Sequence, residues 1–180
     1  RRPGFYDEQD WNMDGFVSTD YDQVPFGYTE RPLNTFNLSL GANYKKFSFS
    51  VQFYGVNNAT KSYQDRTFVA ESHLYFDFLS DYWSKDNPDG EHVLSGFNNT
   101  QHSTDSYRQW YDASFIKLQN MEFAYTFDSE GGSSYRVFLN GNNLAFWSKL
   151  PDDRLSNEDG NFRGSYPSFR RINLGVNINF

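Results

Sequence analysis

Arg171-Ile172-Asn173-Leu174-Gly175-Val176-Asn177-Ile178-Asn179-Phe180 decides the fold. Ile172, Leu174, Val176, Ile178 and Phe180 alternate without exception with Arg171, Asn173, Gly175, Asn177 and Asn179. A period of two is the signature of a β-strand, because successive side chains leave the pleat on opposite faces. One face of this strand is apolar and uncharged, and the other is rich in amides. Working upstream, the same pattern returns in Phe36, Leu38, Leu40, Ala42 and Tyr44, set against Asn37, Ser39, Gly41 and Asn43. After Lys45-Lys46 it resumes as Phe47, Phe49, Val51 and Phe53 against Ser48, Ser50, Gln52 and Tyr54, which predicts a hairpin over 36–54 with a two-residue turn.

A strand pair is expected over 115–144. Met121, Phe123, Tyr125 and Phe127 alternate with Glu122, Ala124 and Thr126, while Ile116 and Leu118 fall out of phase with them, so a bulge is expected near Asn120. Tyr135, Val137 and Leu139 then face away from Arg136, Phe138 and Asn140, and Gly141 is read as a bend. The closing strand occupies 169–180. Five strands result, and their connections alternate in length. Lys45-Lys46 and 128–134 are short; 1–35, 55–114 and 145–168 are long and rich in Asp, Asn, Gly, Ser and aromatics.

In an antiparallel meander every second connection lies on the same side, so this alternation puts short turns on one side and long loops on the other. Transmembrane β-barrels have that asymmetry, and each alternating run has about the length that crosses a bilayer as a tilted strand. Tyr44, Phe47, Phe127, Tyr135 and Phe180 then fall at the short-turn side as an interfacial belt. The expected fold is all-β: five strands of an antiparallel outer-membrane barrel. Five strands cannot close a barrel, and open edges are not tolerated in lipid, so further strands are expected from an upstream part of the protein.

Composition fits a wall that is wet on one side and greasy on the other. Aromatic residues make up 20% of the 180, yet hydrophobic residues only 37%, and the mean hydropathy is −0.79. The net charge is −7 with no Lys/Arg-rich run, which argues against nucleic acid as a partner. The absence of cysteine excludes disulfides and thiolate chemistry. No apolar run reaches the length of a membrane helix. No nucleophile elbow, acid/base pair or phosphate loop is present, so catalysis is not expected. His73, His92 and His102 lack zinc-site spacing and read as polar loop residues.

Asp10-Trp11-Asn12-Met13-Asp14-Gly15-Phe16 follows the D-x-N-x-D-G start of a calcium loop. Oxygens of Asp10, Asn12 and Asp14 and the carbonyl of Phe16 could converge on Ca2+. Tyr21 stands where a bidentate Glu would be, leaving Asp20 or Asp22 to complete the set. The alternative is an Asp/Asn turn that satisfies its own backbone. Tyr82, Trp83, Trp110, Tyr111 and Trp147 are read as loop aromatics that pack the loops, meet a partner or stack on sugar rings.

Several blocks in order resemble the C-terminal part of the SusC-like TonB-dependent outer-membrane transporters. Residues 10–17 followed by Val24-Pro25-Phe26-Gly27 are similar to the family's D-x-N-G-D-G-x-I block and P-I-G, with Met13 in place of the usual Gly. Tyr44-Lys45-Lys46-Phe47 resembles its Y-K-G-F hairpin, and Asp81 to Pro88 its D-Y-W-x-x-D-N-P loop. Ser114 to Asn120, Tyr125-Thr126-Phe127, Asn140 to Leu144 and Tyr166-Pro167 match further blocks. The resemblance implies a barrel of about 22 strands that imports glycan or peptide across the outer membrane. A SusD-like surface lipoprotein would serve as lid, and TonB would act through upstream residues. It also makes Phe180 a barrel-assembly signal. Two other readings stand beside it: a secreted β-sandwich that binds carbohydrate, and a SusC-like barrel used as a scaffold.

Overall fold

A computed structural model describes residues 4, 9–18, 20–62, 80–92, 110–129, 131–151 and 169–179. Among the described residues there are seven strands: β1 (Asn34–Tyr44), β2 (Phe47–Asn57), β3 (Thr60–Ser62), β4 (Trp110–Asp112), β5 (Phe115–Asp128), β6 (Ser134–Ser148) and β7 (Arg171–Asn179). Five form one antiparallel sheet in the order β1-β2-β5-β6-β7, and β3 and β4 form a small separate ladder. The chain divides into two compact units, residues 28–60 with 112–180 and residues 1–27 with 61–111. The five-stranded sheet belongs entirely to the first.

The register explains why these residues make this sheet. Ala42 faces Phe49, Phe49 faces Phe123, Phe123 faces Leu139, and Leu139 faces Leu174, so one apolar row crosses all five strands. The next row is Tyr44, Phe47, Tyr125, Val137 and Val176. Cross-strand apolar and aromatic pairs of this kind are the unit of sheet stability. None of these positions is charged. The face they form is exposed in this chain, with Leu174 75% accessible.

On the opposite face the rows are polar. Gly41, Ser50, Glu122, Asn140 and Asn173 make one, and Ser39, Gln52, Asn120, Asn142 and Arg171 the next. Side-chain amides join the strands: Asn142 Nδ2 donates to Asn120, Asn120 Nδ2 to Gln52 Oε1 at 2.7 Å, and Gln52 Nε2 to Asn37 Oδ1 at 3.2 Å. Below them Arg136 Nη2 donates to Glu122 Oε1 at 2.5 Å, and the guanidinium lies 5.6 Å from the centroid of the Phe138 ring. Glu122 and Arg136 thus neutralise one another on this face.

Both short connections fall at one end of the sheet. Lys45 and Lys46 join β1 to β2 with Tyr44 opposite Phe47, and Lys45 takes φ 56°, the left-handed residue that a tight hairpin requires. The second turn, 129–133, is closed by the Ser129 N–H donating to Ser133 O at 2.8 Å. Lys46 Nζ lies 3.2 Å from Asp128. Of the residues expected to form an aromatic belt, Tyr44 pairs with Phe47 and Phe127 with Tyr135 at this end; the Phe47 and Tyr125 rings are 4.6 Å apart, and so are those of Tyr125 and Phe127. Phe180, the expected assembly signal, lies outside the described residues.

The strands are longer than the alternation alone gives. The hairpin runs over 34–57 and β6 continues through Gly141 to Ser148, so 55–57 and 145–148 are strand rather than loop. The expected bulge is present. Gln52 pairs with Asn120 but Phe53 pairs with Leu118, which leaves Gln119 as the extra residue and returns Leu118 and Ile116 to the apolar face. β6 absorbs the matching irregularity at Asn143, which adopts φ 53°. Because of that shift Trp147 stands opposite Ile116, on the exposed apolar face of a strand and not in a loop. Among the described residues β1 and β7 each keep one unpaired edge.

At the end away from the short turns sits the small buried core: Val56, Ala59, Thr60, Phe115 and Leu150. The Tyr28 N–H donates to Thr60 Oγ1 at 2.7 Å, the Ala113 N–H to Ala59 O at 2.9 Å, and Ser114 Oγ to Asn57 Oδ1 at 3.2 Å. Lys149 Nζ bonds Asp112 Oδ2 at 3.0 Å.

Candidate functional site

Residues 10–22 form a loop built on side-chain carboxylates and amides. Asp10 Oδ1 accepts from the Met13 N–H at 2.7 Å and Oδ2 from the Gly15 N–H at 2.8 Å. Asn12 Oδ1 accepts from the Asp14 N–H at 2.9 Å, and Asp14 Oδ1 from the Phe16 N–H at 2.8 Å. These are nested Asx turns, in which a short polar side chain stands in for a backbone acceptor. Gly15, at the sixth position, takes φ 86°, a conformation costly for a residue with a Cβ. Met13 takes φ 62° without that freedom, at a cost of about 1 kcal/mol.

Asp22 closes the loop. Its Oδ1 accepts from the Trp11 N–H at 2.9 Å and the Asn12 N–H at 3.3 Å, and its Oδ2 from the Ser18 N–H at 2.7 Å. Asp20 takes part through its N–H, which donates to Ser18 Oγ at 3.2 Å. The Ser18 N–H is the main reason that the Asp22 carboxyl lies below the usual carboxylate range; partial desolvation opposes it, and the Trp11 and Asn12 N–H groups add to the lowering.

A carboxylate depressed in the folded state contributes stability above its unfolded pKa of about 4 and loses it as pH falls through the folded value. Amide protection at Trp11 and Ser18, taken relative to the intrinsic exchange rate, is therefore expected to fall on acidification below about pH 4. Asp22→Asn should flatten that dependence; an unchanged acid profile in the variant would assign it to another group.

As a cation site the loop has the right donor types in the right order, but here its oxygens serve the backbone. Asn12 Nδ2 also donates to Asp14 Oδ2 at 3.0 Å. Among the described residues no three His, Asp or Glu side chains converge as ligands. To bind a hard cation the Asn12–Asp14 bond would have to open and both oxygens turn inward, while the Asx bonds to backbone N–H could persist, since each oxygen carries a second lone pair.

The loop aromatics are dispersed. Trp110 and Tyr111 are half-buried in β4. Tyr82 is exposed and Trp83 half-buried in a compact turn over 81–92, where the Trp83 N–H donates to His92 O at 2.8 Å and the His92 N–H to Asp81 O at 3.0 Å. Asn87 pins the same turn, its Nδ2 donating to Asp81 Oδ1 at 2.7 Å. His92, expected to be an ordinary polar loop residue, is instead buried within this turn; His73 and His102 lie outside the described residues. The residues that sequence reading missed are the rim core and Gly90, which packs directly on the backbone of Tyr82 and Trp83.

No protein-family model matches the chain. Among curated proteins it is 30% identical, over an alignment of 190 positions and 95% of its length, to TonB-dependent receptor P26 of Formosa agariphila. Among solved structures it resembles the RagAB peptide importer in its open-open state, with TM-score 0.63, 20% identity and 95% of this chain covered. The closed-closed state gives TM-score 0.58 at 21% identity over 91% of this chain. The chain spans about a fifth of the length of these relatives, 19% of the receptor and 20% of each importer chain. Alternating strands, blocks in family order, an antiparallel sheet of matching fold and a receptor relative aligned along nearly the whole chain agree: the chain is homologous to part of a TonB-dependent receptor.

Proposed function

We propose that this chain is part of the wall and outer mouth of a SusC-like TonB-dependent transporter in a Gram-negative outer membrane. It would import large nutrients, peptide or glycan, under a SusD-like lipoprotein lid, with TonB engaged through residues outside this chain. The two-faced sheet carries the reading. Its apolar face crosses five strands without a charge, a surface that water penalises and hydrocarbon accepts, while amides and a neutralised ion pair cover the other. The short turns at one end and the buried rim at the other support an orientation with the long loops outward. Peptide is the cargo class favoured by the likeness to the RagAB importer. Residues 10–22 are proposed as a calcium-organised loop of the mouth.

Fractionation of the native protein tests the reading. These residues should occur in a detergent-extracted outer-membrane polypeptide several times larger than 21.1 kDa, whereas a soluble product of that mass would favour a secreted sandwich. A membrane-inserted receptor whose deletion leaves peptide and glycan uptake intact would favour the scaffold. For the loop, Asp14→Ala or chelation should raise proteolysis within 10–22 and spare the strands; a loop indifferent to both would reject the cation.

A further inference from the structure

The alternation of β7 fixes its faces but not its place along β6. Ile172, Leu174, Val176 and Ile178 are close to interchangeable on the apolar face, so a slip of two residues keeps every side chain on its proper side. Leu139, opposite Leu174, would simply meet Ile172 or Val176 instead. Elsewhere in the sheet the register has a local cause. Short turns set it for β1 on β2 and for β5 on β6, and the bulge at Gln119 sets it for β2 on β5. Between β6 and β7 the connection is 149–170, too long to set any register.

Gly175 is the residue of β7 that breaks this uniformity. It stands among Asn173 and Asn177 on the polar face, directly opposite Phe138. A Cβ at Gly175 would fall 2.3 Å from the Phe138 Cζ, 2.8 Å from Cε1 and 2.9 Å from Cε2, so the ring lies over the space that a side chain would fill. Gly175 is accordingly half-buried, whereas every other residue of β7 is exposed. Its φ is not left-handed, and glycine inside a strand forfeits packing and backbone entropy; what it provides here is the recess. The ring is held in that recess. On its other side Phe138 faces Ala124, small and fully buried, and the Arg136 guanidinium that Glu122 anchors lies 5.6 Å from the ring centroid. A two-residue slip would drive the ring against Asn173 or Asn177 and part the 2.9 Å bond from Asn173 Nδ2 to Asn140 Oδ1.

We infer that Phe138 and Gly175 form a ring-in-recess lock that sets the register of β7 on β6, with Arg136 as the residue that positions the ring. Any strand that pairs with the open edge of β7 takes its own register from this lock, and in a closed barrel a two-residue slip would change the stagger on which closure depends. The lock stands on the sheet alone and holds whatever the whole protein transports. Cysteine pairs in the full-length protein, oxidised in its native membrane and scored by mass spectrometry of the linked peptides, read the register. Leu139→Cys with Leu174→Cys reports the observed pairing, and Leu139→Cys with Ile172→Cys or Val176→Cys the slipped ones, because a disulfide forms only between closely opposed positions. Gly175→Val should lower the observed cross-link at least threefold although valine is the better strand former, a direction opposite to that of propensity. Phe138→Ala should raise the slipped cross-links about threefold. Adding Phe138→Ala to Gly175→Val should restore the observed cross-link at least to its level in Phe138→Ala, since ring and methyl groups no longer compete for one space. Wild-type cross-linking by Gly175→Val, or a loss in the double variant equal to the two single losses combined, would overturn the lock. Should Gly175→Val yield no folded protein, Phe138→Ala decides alone: slipped cross-links at the wild-type level would overturn the lock, and a rise would support it.

Discussion

Leu174→Arg is expected to cost about 3 kcal/mol and to abolish most heat-resistant folded barrel in full-length receptor, whereas Asn173→Arg, one residue away, should assemble normally. The two positions sit on adjacent pleats in the middle of β7, Leu174 opposite Leu139 and Asn173 opposite Asn140. Arginine at the first would place a guanidinium on the apolar face among Val176, Ile172 and Leu139, with no acceptor within that face. Arginine at the second joins a face that already holds Arg171 and Glu122. A sandwich packed against a second sheet would also reject Leu174→Arg, so a third variant separates the two environments. Leu174→Trp adds volume that lipid accommodates, but against a packed layer it would cost about 2 kcal/mol. Normal assembly of the tryptophan variant together with failure of the arginine variant identifies hydrocarbon; failure of both identifies a packed core.

The features that make this test possible were legible in the sequence because they depend on parity alone. Strict alternation at 172–180, 36–44 and 47–53 fixes which residues share a face, and nothing distant can alter it. The bulge at Gln119 was legible for the same reason, as two runs of opposite phase on one strand. The bulge of β6 was not. Asn143 and its neighbour take up the extra length and restore the original phase, so Trp147 stays on the apolar face while Gly141 looks like the end of a strand. Asparagine tolerates left-handed φ without announcing it as glycine does. Strands β3 and β4, of three residues each, are too short to show any period.

In the loop over 10–22 the Asx pattern was legible from spacing, since Asp10, Asn12 and Asp14 act on neighbours two to five residues away. Its closure was not, because Asp22 reaches back to Trp11 across eleven residues. Whether the oxygens serve a cation or the backbone is decided by rotamers rather than by composition. The expectation that the chain carries no catalysis agrees with its homology to a TonB-dependent receptor.

Gly90→Ala is the second large effect, and it tests a contact that no local pattern reveals. A Cβ at Gly90 would lie 2.5 Å from the Tyr82 carbonyl carbon, 2.6 Å from its oxygen and 2.7 Å from the Trp83 nitrogen. All three are backbone atoms, so no rotamer change can relieve the clash. The glycine is required for proximity and not for φ, which leaves alanine's ordinary backbone preferences irrelevant to the outcome. To admit the methyl group the two arms of the turn must part, and the arms are held by the Trp83 N–H to His92 O bond and by the Gly90 N–H to Asn87 O bond at 3.3 Å. Losing that closure should cost about 3 kcal/mol. It should release His92 from burial and expose the amides of Trp83 and His92 to exchange at least a hundredfold faster. The five-stranded sheet makes none of these contacts, so barrel heat-modifiability should not change. Gly90→Ser should behave as Gly90→Ala does, because the clash begins at Cβ. Wild-type exchange at Trp83 in Gly90→Ala would mean that the turn has room for the methyl group and that its closure does not depend on the glycine.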